Sequence, residues 1–329
     1  MAEPRGRRGR MPSTFLPRHL DVVLGVVVLV VVVGGALMLG GVVPNPLAAS
    51  SSQHREGPTA ATGSTGATRS ARQTPSPSAA TTTPPGTSTT TSAVPPGPMT
   101  LVGLGDSVPS AETCGCTGYL EQVGAQLGRA TGRRWVVHND ANGGATTADV
   151  EQDVTSGPTR DHLADADLVV IEVGANDFDL AHVGDPDCLP AATSDCWTET
   201  LTAMGHGLRR IITDVRAIDP RPDLRIAVIG YWNVTVDGAV GRALGTDFVL
   251  GSDELTRLVN DTVAQVATST HALYVDAYAP LKGTSGTRDP TGDLLDDGDH
   301  PNASGHTLLG TAVIDALQRD GAVERWKSG

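Results

Sequence analysis

The sequence is poor in aromatic residues and in lysine. Phenylalanine, tryptophan and tyrosine make up 3% of its 329 residues, and Lys282 and Lys327 are the only lysines. A hydrophobic core therefore has to consist mainly of valine, leucine, isoleucine and alanine, which is feasible at this length. Binding to phosphates requires clustered basic side chains, so the shortage of lysine and the net charge of −13 argue against nucleic acid as a partner.

Several well-known functional signatures are also absent. The chain has no P-loop, no glycine fingerprint of a dinucleotide-binding fold and no internal repeat. It also lacks the Gly-x-Ser-x-Gly elbow that carries the nucleophile in α/β-hydrolases. These absences argue against a nucleotide-binding enzyme, a repeat protein and the α/β-hydrolase fold.

The charge is distributed unevenly along the chain. Residues 1–97 carry 8 basic and 3 acidic side chains, whereas residues 98–329 carry 16 basic and 34 acidic ones. A small basic head therefore precedes a strongly acidic body, and the two parts are interpreted separately.

The head contains an uncharged apolar run at residues 22–43. At about 1.5 Å of rise per residue, this run is long enough to cross a hydrocarbon core about 30 Å thick. The arginines before it predict a cytoplasmic tail at residues 1–20, a transmembrane anchor at residues 21–43 and an extracytoplasmic location for all that follows. A cleaved signal peptide, which would release the protein, is the alternative, although its apolar region is usually shorter.

Residues 44–98 have the composition of a disordered linker. Serine, threonine and proline occupy 31 of these 55 positions, and no apolar periodicity is visible. Such a segment cannot bury enough apolar surface to offset the entropy lost on ordering. A single catalytic domain is therefore expected at residues 99–329.

The four cysteines, Cys114, Cys116, Cys188 and Cys196, all lie in this body. An even number of cysteines in an extracytoplasmic domain predicts two disulfides. A zinc site is the alternative, but the spacing fits no common structural zinc motif well. Three pairings are possible, and because a Cys114–Cys116 bond would close a very tight ring, we expect crosslinks between the two loops.

Short apolar runs alternate with longer amphipathic stretches in the body. Strands are predicted at residues 101–104, 135–137, 167–173, 224–229 and 272–275. Helices are predicted at residues 118–131, 147–154, 197–218, 254–268 and 303–318. This alternation predicts a parallel sheet with helices on both faces, whose functional residues follow the carboxyl ends of the strands.

Three groups of polar or glycine residues follow the carboxyl end of a predicted strand, and a fourth lies near the C-terminus. They are Gly105-Asp106-Ser107 after the first strand, Gly144 in the loop after the second, Gly174-Ala175-Asn176-Asp177 after the third, and Asp297 with His300. A serine at a strand-to-helix turn is well placed as a nucleophile, and an asparagine amide is a neutral donor suited to an oxyanion. Each group alone is also ordinary turn or capping chemistry.

In this order, the four groups resemble the sequence blocks of the SGNH (GDSL-type) hydrolase family. The resemblance covers about residues 100–318, and one departure is Val108 where the family name has leucine. It implies a flavodoxin-like α/β fold, a three-layer α/β/α sandwich around a five-stranded parallel sheet of order 2-1-3-4-5. The cysteine positions resemble those of an extracellular subgroup.

The resemblance also implies a role for each residue. Ser107 would be the nucleophile, His300 the base that activates it, and Asp297 the carboxylate that orients the imidazole. Asp296 and Asp299 are also close to His300 in sequence and could take the role of the orienting carboxylate. The spacing of the family pattern selects Asp297. The oxyanion would be bound by the backbone N–H groups of Ser107 and Gly144 and by the Asn176 side chain.

These residues predict an extracytoplasmic, membrane-anchored serine esterase with a monomeric catalytic domain. Its substrate would be a small-molecule, lipid or glycan ester, with small or polar acyl esters favoured, and no metal or organic cofactor is needed. Acyl transfer to an alcohol by the same triad is one alternative. A catalytically silent glycan-binding module is another, although it would have no need of a matched serine, aspartate and histidine.

Overall fold

Five parallel strands form one sheet with the order β2-β1-β3-β4-β5 in the computed structural model, which describes residues 97–328. The strands are β1 Met99–Gly105, β2 Trp135–Asn139, β3 Leu168–Glu172, β4 Arg225–Ile229 and β5 Leu273–Val275. Strand β1 pairs with β2 on one side and with the central strand β3 on the other. The predicted parallel sheet and its strand order are confirmed.

Ten α-helices accompany the sheet within the described residues. They are α1 Ser107–Ser110, α2 Tyr119–Thr131, α3 Thr147–Val154, α4 Gly157–Leu163, α5 Thr198–Ile218, α6 Gly238–Ala243, α7 Thr246–Ser269, α8 Tyr278–Lys282, α9 Ala303–Arg319 and α10 Ala322–Ser328. Between β3 and α5 the chain makes five short 3₁₀ turns, and a sixth turn, Thr291–Asp293, precedes α9. The connections after β3 and β5 therefore carry most of the irregular backbone around the site.

The sheet is buried on both faces, which accounts for the near-continuous apolar sequence of its central strands. Val169 and Ile171 of β3 belong to a core shared with α3, α5 and α7. Leu168 and Val170 point to the other face, into a core shared with α2, α9 and α10. Two hydrophobic cores separated by one sheet are the three layers that the sequence predicted.

Short helices and helix starts are where the sequence prediction and the structure differ. Helix α7 begins at Thr246, eight residues before the predicted start at residue 254. The four-residue helix α1 is too short for periodicity to reveal, and its Asp106 cap accepts a hydrogen bond from the Val108 N–H. These additions change no layer of the fold, but α1 holds Ser107.

The disulfide pairing expected from the sequence is wrong. Cys114 is bonded to Cys116, and Cys188 to Cys196, so each bond stays within its own loop. The first pair lies beside His306 of α9, on the α2 face of the sheet. Cys188 is buried in the core of the opposite face. Because the sheet separates the two loops, the expected crosslinks between them cannot form.

The predicted tail, anchor and linker at residues 1–20, 21–43 and 44–98 lie outside the described residues, apart from the last two positions of the linker. Among residues 97–328, no helix is both long and apolar enough to cross a bilayer. The described residues belong to one compact unit, Ala93–Gly329.

Candidate active site

Ser107 is the first residue of α1 and follows the carboxyl end of strand β1. The sharp turn from strand to helix depends on Gly105, whose φ is +141°. A Cβ at this position would lie 1.9 Å from the carbonyl oxygen of Glu172 in the neighbouring strand β3. The same carbonyl accepts the Asp106 N–H at 3.1 Å. Only glycine allows β1 to run this close to β3 and still turn into α1.

The loop after β2 is held against the start of α1. The backbone N–H groups of Asp140 and Asn142 donate to the carbonyls of Gly103 and Gly105, both at 2.9 Å. Gly144 has a left-handed φ of +79°, and nothing lies within 4 Å of the position of a Cβ there. Within the described residues, the N–H groups of Ser107 and Gly144 donate to no protein acceptor, so both are free to bind a ligand.

The residues after β3 are bonded to this same loop. The Asn176 Nδ2 donates to the Ala145 carbonyl at 3.1 Å. The Asp177 carboxylate accepts the Thr147 hydroxyl at 2.6 Å and the Thr147 N–H at 3.0 Å. Asn176 and Gly144 are thus brought to one place by hydrogen bonds between their loops, and the second N–H of Asn176 is left for another acceptor.

His300 and Asp297 lie in the turn before α9. The His300 Nδ1 is 2.8 Å from the Asp297 Oδ2, whereas the Asp299 Oδ2 is 3.9 Å from the same nitrogen. The other oxygen of Asp297 accepts the backbone N–H groups of Asp299 and His300 at 2.9 and 3.0 Å. Of the three aspartates that competed for this role in the sequence, Asp297 is the one hydrogen-bonded to the imidazole.

The electrostatics of the pair suit a base that gains a proton during the reaction. Burial alone would lower the pKa of His300, but the hydrogen bond to Asp297 and the nearby carboxylates of Asp299, Asp297 and Asp106 raise it above its ordinary value. Burial alone would raise the pKa of Asp297, but its hydrogen bonds with His300 and Asp299 lower it. A carboxylate that stays ionised stabilises the imidazolium form of His300.

A cavity of about 170 Å³ opens beside Ser107. Its lining includes Ser107, Asn176 and Asp299, together with apolar side chains such as Phe178 and Leu180. Gly144 and His300 are outside the lining: Gly144 adjoins it through the Ala145–Asn176 hydrogen bond, and His300 through the preceding residue, Asp299. The structure therefore brings together the residues predicted from three separate loops and the C-terminal turn.

The described residues contain no direct hydrogen bond between the Ser107 hydroxyl and the His300 imidazole. Catalytic hydrogen bonds of this kind often tighten only when substrate is bound. The serine–histidine contact accordingly stays a prediction.

Tyr231 is a site residue that the sequence interpretation missed. It follows β4 directly, and its hydroxyl donates to the Asp106 Oδ2 at 2.5 Å. The Tyr231 hydroxyl oxygen also accepts the Ala175 N–H at 3.4 Å, so Tyr231 connects the turn of Ser107 with that of Asn176. Burial raises the pKa of Asp106 to about 7, against the lowering effect of the Tyr231 hydrogen bond. The rule that functional residues follow strands would have found Tyr231 if it had been applied to β4 as well.

One wall of the cavity is formed by the loop after Tyr231, from Trp232 to Val236. The side chains of Asn233 and Thr235 are buried and hydrogen-bonded, whereas the buried Trp232 Nε1 has no partner among the described residues. The Asn233 Oδ1 accepts the Thr235 hydroxyl at 2.9 Å and the Ser252 hydroxyl at 2.7 Å. A rigid wall of this kind fixes the shape of the cavity before any substrate enters.

A larger cavity, about 650 Å³, lies elsewhere, at the amino-terminal ends of β4 and β5. Its most prominent charged pair is Arg221 and Asp219, which are joined at 2.7 Å. Ligands of parallel sheets bind beyond the carboxyl ends of the strands, and the predicted site residues lie there. The smaller cavity beside Ser107 is therefore the candidate active site.

A serine at a strand-to-helix turn, an Asp–His pair and two backbone N–H groups without a protein acceptor lie at the carboxyl edge of the parallel sheet among the described residues, as expected for a serine ester hydrolase. The sequence profile of the GDSL-like Lipase/Acylhydrolase family matches residues 103–308. The chain belongs to this family, and the match spans the region in which the sequence resemblance was found. No curated protein sequence matches it significantly.

Solved structures with similar folds include a lipase, Lip_vut3, from a goat rumen metagenome, at 15% identity and a TM-score of 0.54, with 66% of this chain and 97% of that chain covered. Another is Axe2, an acetylxylan esterase from Geobacillus stearothermophilus, at 20% identity and a TM-score of 0.47, with coverage of 67% and 94%. TesA is similar at 19% identity and a TM-score of 0.44, with coverage of 67% and 99%. At 15% identity, the match to the lipase establishes a shared fold.

Proposed function

We propose that the protein hydrolyses esters of short acyl groups through an acyl-Ser107 intermediate, and that it does so outside the cytoplasm. The observation that carries the proposal is the convergence of three chain segments: Ser107 and Asn176 line one cavity, and the Asp297–His300 pair adjoins it. Three of these positions are far apart in sequence, and ordinary turn chemistry gives no reason for them to meet.

The reaction follows from where charge develops. His300 takes the proton of the Ser107 hydroxyl as the oxygen attacks the ester carbonyl, and Asp297 stabilises the imidazolium that results. The N–H groups of Ser107 and Gly144 and the free N–H of Asn176 bind the oxyanion of the tetrahedral intermediate. His300 then returns the proton to the leaving alcohol, and a water molecule activated by the same base releases the acid.

The size and lining of the cavity support a short acyl group. At about 170 Å³, it is smaller than the roughly 300–1,000 Å³ of pockets that hold drug-sized ligands. Val108, Phe178 and Val234 give it an apolar lining that suits a chain of a few carbons. Esters of acetyl and propionyl groups are therefore expected to be better substrates than those of long fatty acids.

Two observations support the extracytoplasmic location. The uncharged run at residues 22–43 is preceded by arginines, the pattern of an anchor with a cytoplasmic N-terminus. All four cysteines are paired, and structural disulfides persist in oxidising compartments. Protease added to intact cells that express the full chain is expected to remove the body while the interior of the cell stays protected.

The function is tested with the purified body, residues 93–329, and p-nitrophenyl esters of two to twelve carbons. We expect turnover to be highest for the shortest chains and a fluorophosphonate probe to label Ser107. Ser107→Ala and His300→Ala are expected to abolish both turnover and labelling. A folded protein that is not labelled at Ser107 would contradict the proposal, and product analysis with added alcohols separates hydrolysis from acyl transfer.

A further inference from the structure

One of the two lysines of the chain is buried inside the body. Lys282, at the end of α8, is 5% exposed. Its Nζ donates to the Asp237 Oδ2 at 2.6 Å, and the Asp253 Oδ1 is 4.0 Å away. Asp237 is 8% exposed, and the Asn233 amide donates to the same oxygen at 3.1 Å. Lysine is rarely fully buried unless its charge is paired, so this ion pair requires an explanation.

Asp237 connects the ion pair to the turn that carries the Asp–His pair. Its backbone N–H donates to the Gly298 carbonyl at 2.7 Å, and Gly298 lies between Asp297 and His300. A Cβ at Gly298 would be 2.6 Å from the Val240 Cβ and 2.9 Å from the Asp237 carbonyl oxygen. The tip of the turn is therefore in close contact with the beginning of α6.

The other hydrogen bonds of the tip are internal to the turn. Leu295 donates to the His300 carbonyl at 2.8 Å, and Gly298 donates to the Leu295 carbonyl at 3.0 Å. Among the described residues, the Asp237–Gly298 bond is the only backbone hydrogen bond between residues 295–300 and the rest of the protein. The position of the tip relative to Ser107 thus depends on where Asp237 is held.

We propose that Lys282 and Asp237 are positioning residues, which hold the turn of Asp297 and His300 at the distance from Ser107 that catalysis requires. The proposal rests on the catalytic roles assigned above. The loop that ends at Asp237 is also the cavity wall formed by residues 231–236. One buried ion pair therefore fixes both the wall of the cavity and the turn of the base.

The physical reason is that removing one partner of a buried ion pair leaves the charge of the other partner uncompensated. An uncompensated charge in the interior is costly, so loss of the lysine charge drives the Asp237 carboxylate toward water. Movement of Asp237 would pull on Gly298 and loosen the alignment of His300. Displacement of a catalytic group by about 1 Å can lower the rate on the order of 100-fold.

The test compares Lys282→Met, Lys282→Arg and the double variant Lys282→Met/Asp237→Asn with the wild-type body. The matched control is Asp219→Asn, which breaks an ion pair of a buried aspartate, 2% exposed, at the far end of the sheet. For each variant we would measure the thermal midpoint, kcat and KM for p-nitrophenyl acetate, and the pH dependence of kcat/KM.

The pH profile reports on His300, which is faced by Asp297 and Asp299 of its own turn, by Asp106 beside Ser107 and by His306 of α9. A looser Asp297–His300 contact removes part of what raises the pKa of His300. The acid limb of the profile in Lys282→Met is therefore expected to move to lower pH. We expect kcat to fall on the order of 10- to 100-fold with a smaller change in KM.

Lys282→Arg keeps the charge and is expected to recover most of kcat and the position of the acid limb. Asp219→Asn is expected to lower the thermal midpoint without changing kcat or the position of the acid limb. If Lys282→Met does not fold, the double variant gives the measurement: it leaves no unpaired charge but also no ion pair to hold the start of α6, so a smaller shift of the acid limb to lower pH is expected there. A folded single or double variant whose kcat and acid limb equal those of Asp219→Asn would overturn the proposal. Absence of Ser107 labelling in the wild type would instead overturn the proposed function.

Discussion

Replacing Asn176 with alanine removes the side-chain donor of the proposed oxyanion site. The Asn176 amide uses one N–H to hold the Ala145 carbonyl at 3.1 Å, and its residue lines the cavity of Ser107. The second N–H is free to meet the oxyanion. In serine hydrolases, loss of one such donor costs about 3–4 kcal/mol of transition-state stabilisation, so kcat is expected to fall on the order of 10²–10³-fold.

The structure also sets an upper limit on the effect of a purely structural role. The hydrogen bond to Ala145 joins two loops, and a neutral bond of this kind contributes about 0.5–1.5 kcal/mol. Loss of that bond also leaves the carbonyl of the buried Ala145 without its partner, which costs about 1–3 kcal/mol, or about a 5- to 150-fold fall in rate if all of it were lost in the transition state. The fall in rate therefore has to be compared with that of a control at the same junction and divided between kcat and KM.

The assay is steady-state hydrolysis of p-nitrophenyl acetate by the folded variant. The loss should appear in kcat with KM nearly unchanged, because the donor binds charge that exists only in the transition state. Thr147→Val is the matched control: it removes a 2.6 Å hydrogen bond to Asp177 at the same junction of loops but no oxyanion donor. An Asn176→Ala variant that loses no more activity than Thr147→Val, or loses it only through KM, would refute the assignment.

Two further predictions concern the base and the fold. The pKa of His300 lies above its ordinary value of 6.5, and the base must be neutral to act, so the acid limb of kcat/KM is expected above pH 6.5. Asp297→Asn should move this limb to lower pH and reduce kcat by about 10⁴-fold. Both effects are measured by pH-dependent kinetics. Gly105→Ala places a Cβ 1.9 Å from the Glu172 carbonyl oxygen and should cost more than about 4 kcal/mol of unfolding free energy in urea. Gly132→Ala, at a φ of +70° in open space, should cost only about 1–2 kcal/mol. Equal losses for the two glycine variants would contradict the role given to Gly105.

The alternation of strands and helices could be predicted because it depends on local patterns. The apolar run at residues 167–173 reads as a doubly buried strand, and β3 has five buried residues. The polar groups that follow the first three strands could be found for a related reason, since parallel strands carry their carboxyl ends to one edge of the sheet. Asp297 was selected over Asp296 and Asp299 by the family spacing, and the observed hydrogen bond to His300 agrees with that selection.

The disulfides and the cavity wall could not be predicted, because they depend on which face of the sheet each loop occupies. The expected crosslinks between the loops of Cys114 and Cys188 assumed that these loops meet. Sequence spacing does not show whether two loops meet, because this depends on the face of the sheet to which each chain turns after its strand. The ring that Cys114 and Cys116 close is tight, but no closer thiol partner is available on their side of the sheet.

The tie between the buried lysine and the Asp–His turn shows why a motif alone does not define a working site. Lys282 and Asp237 are 45 positions apart, and Gly298 is farther still from Asp237. Lys282 and Asp237 belong to no sequence block of the family resemblance, and Gly298 is an unspecified position inside the block from Asp297 to His300. A motif supplies the reacting groups, whereas their mutual distance is set by loops that follow other strands. In this body of excess negative charge, a single buried cation can fix such a loop, because Asp237 compensates its charge at 2.6 Å while the partly buried Asp253 lies 4.0 Å away.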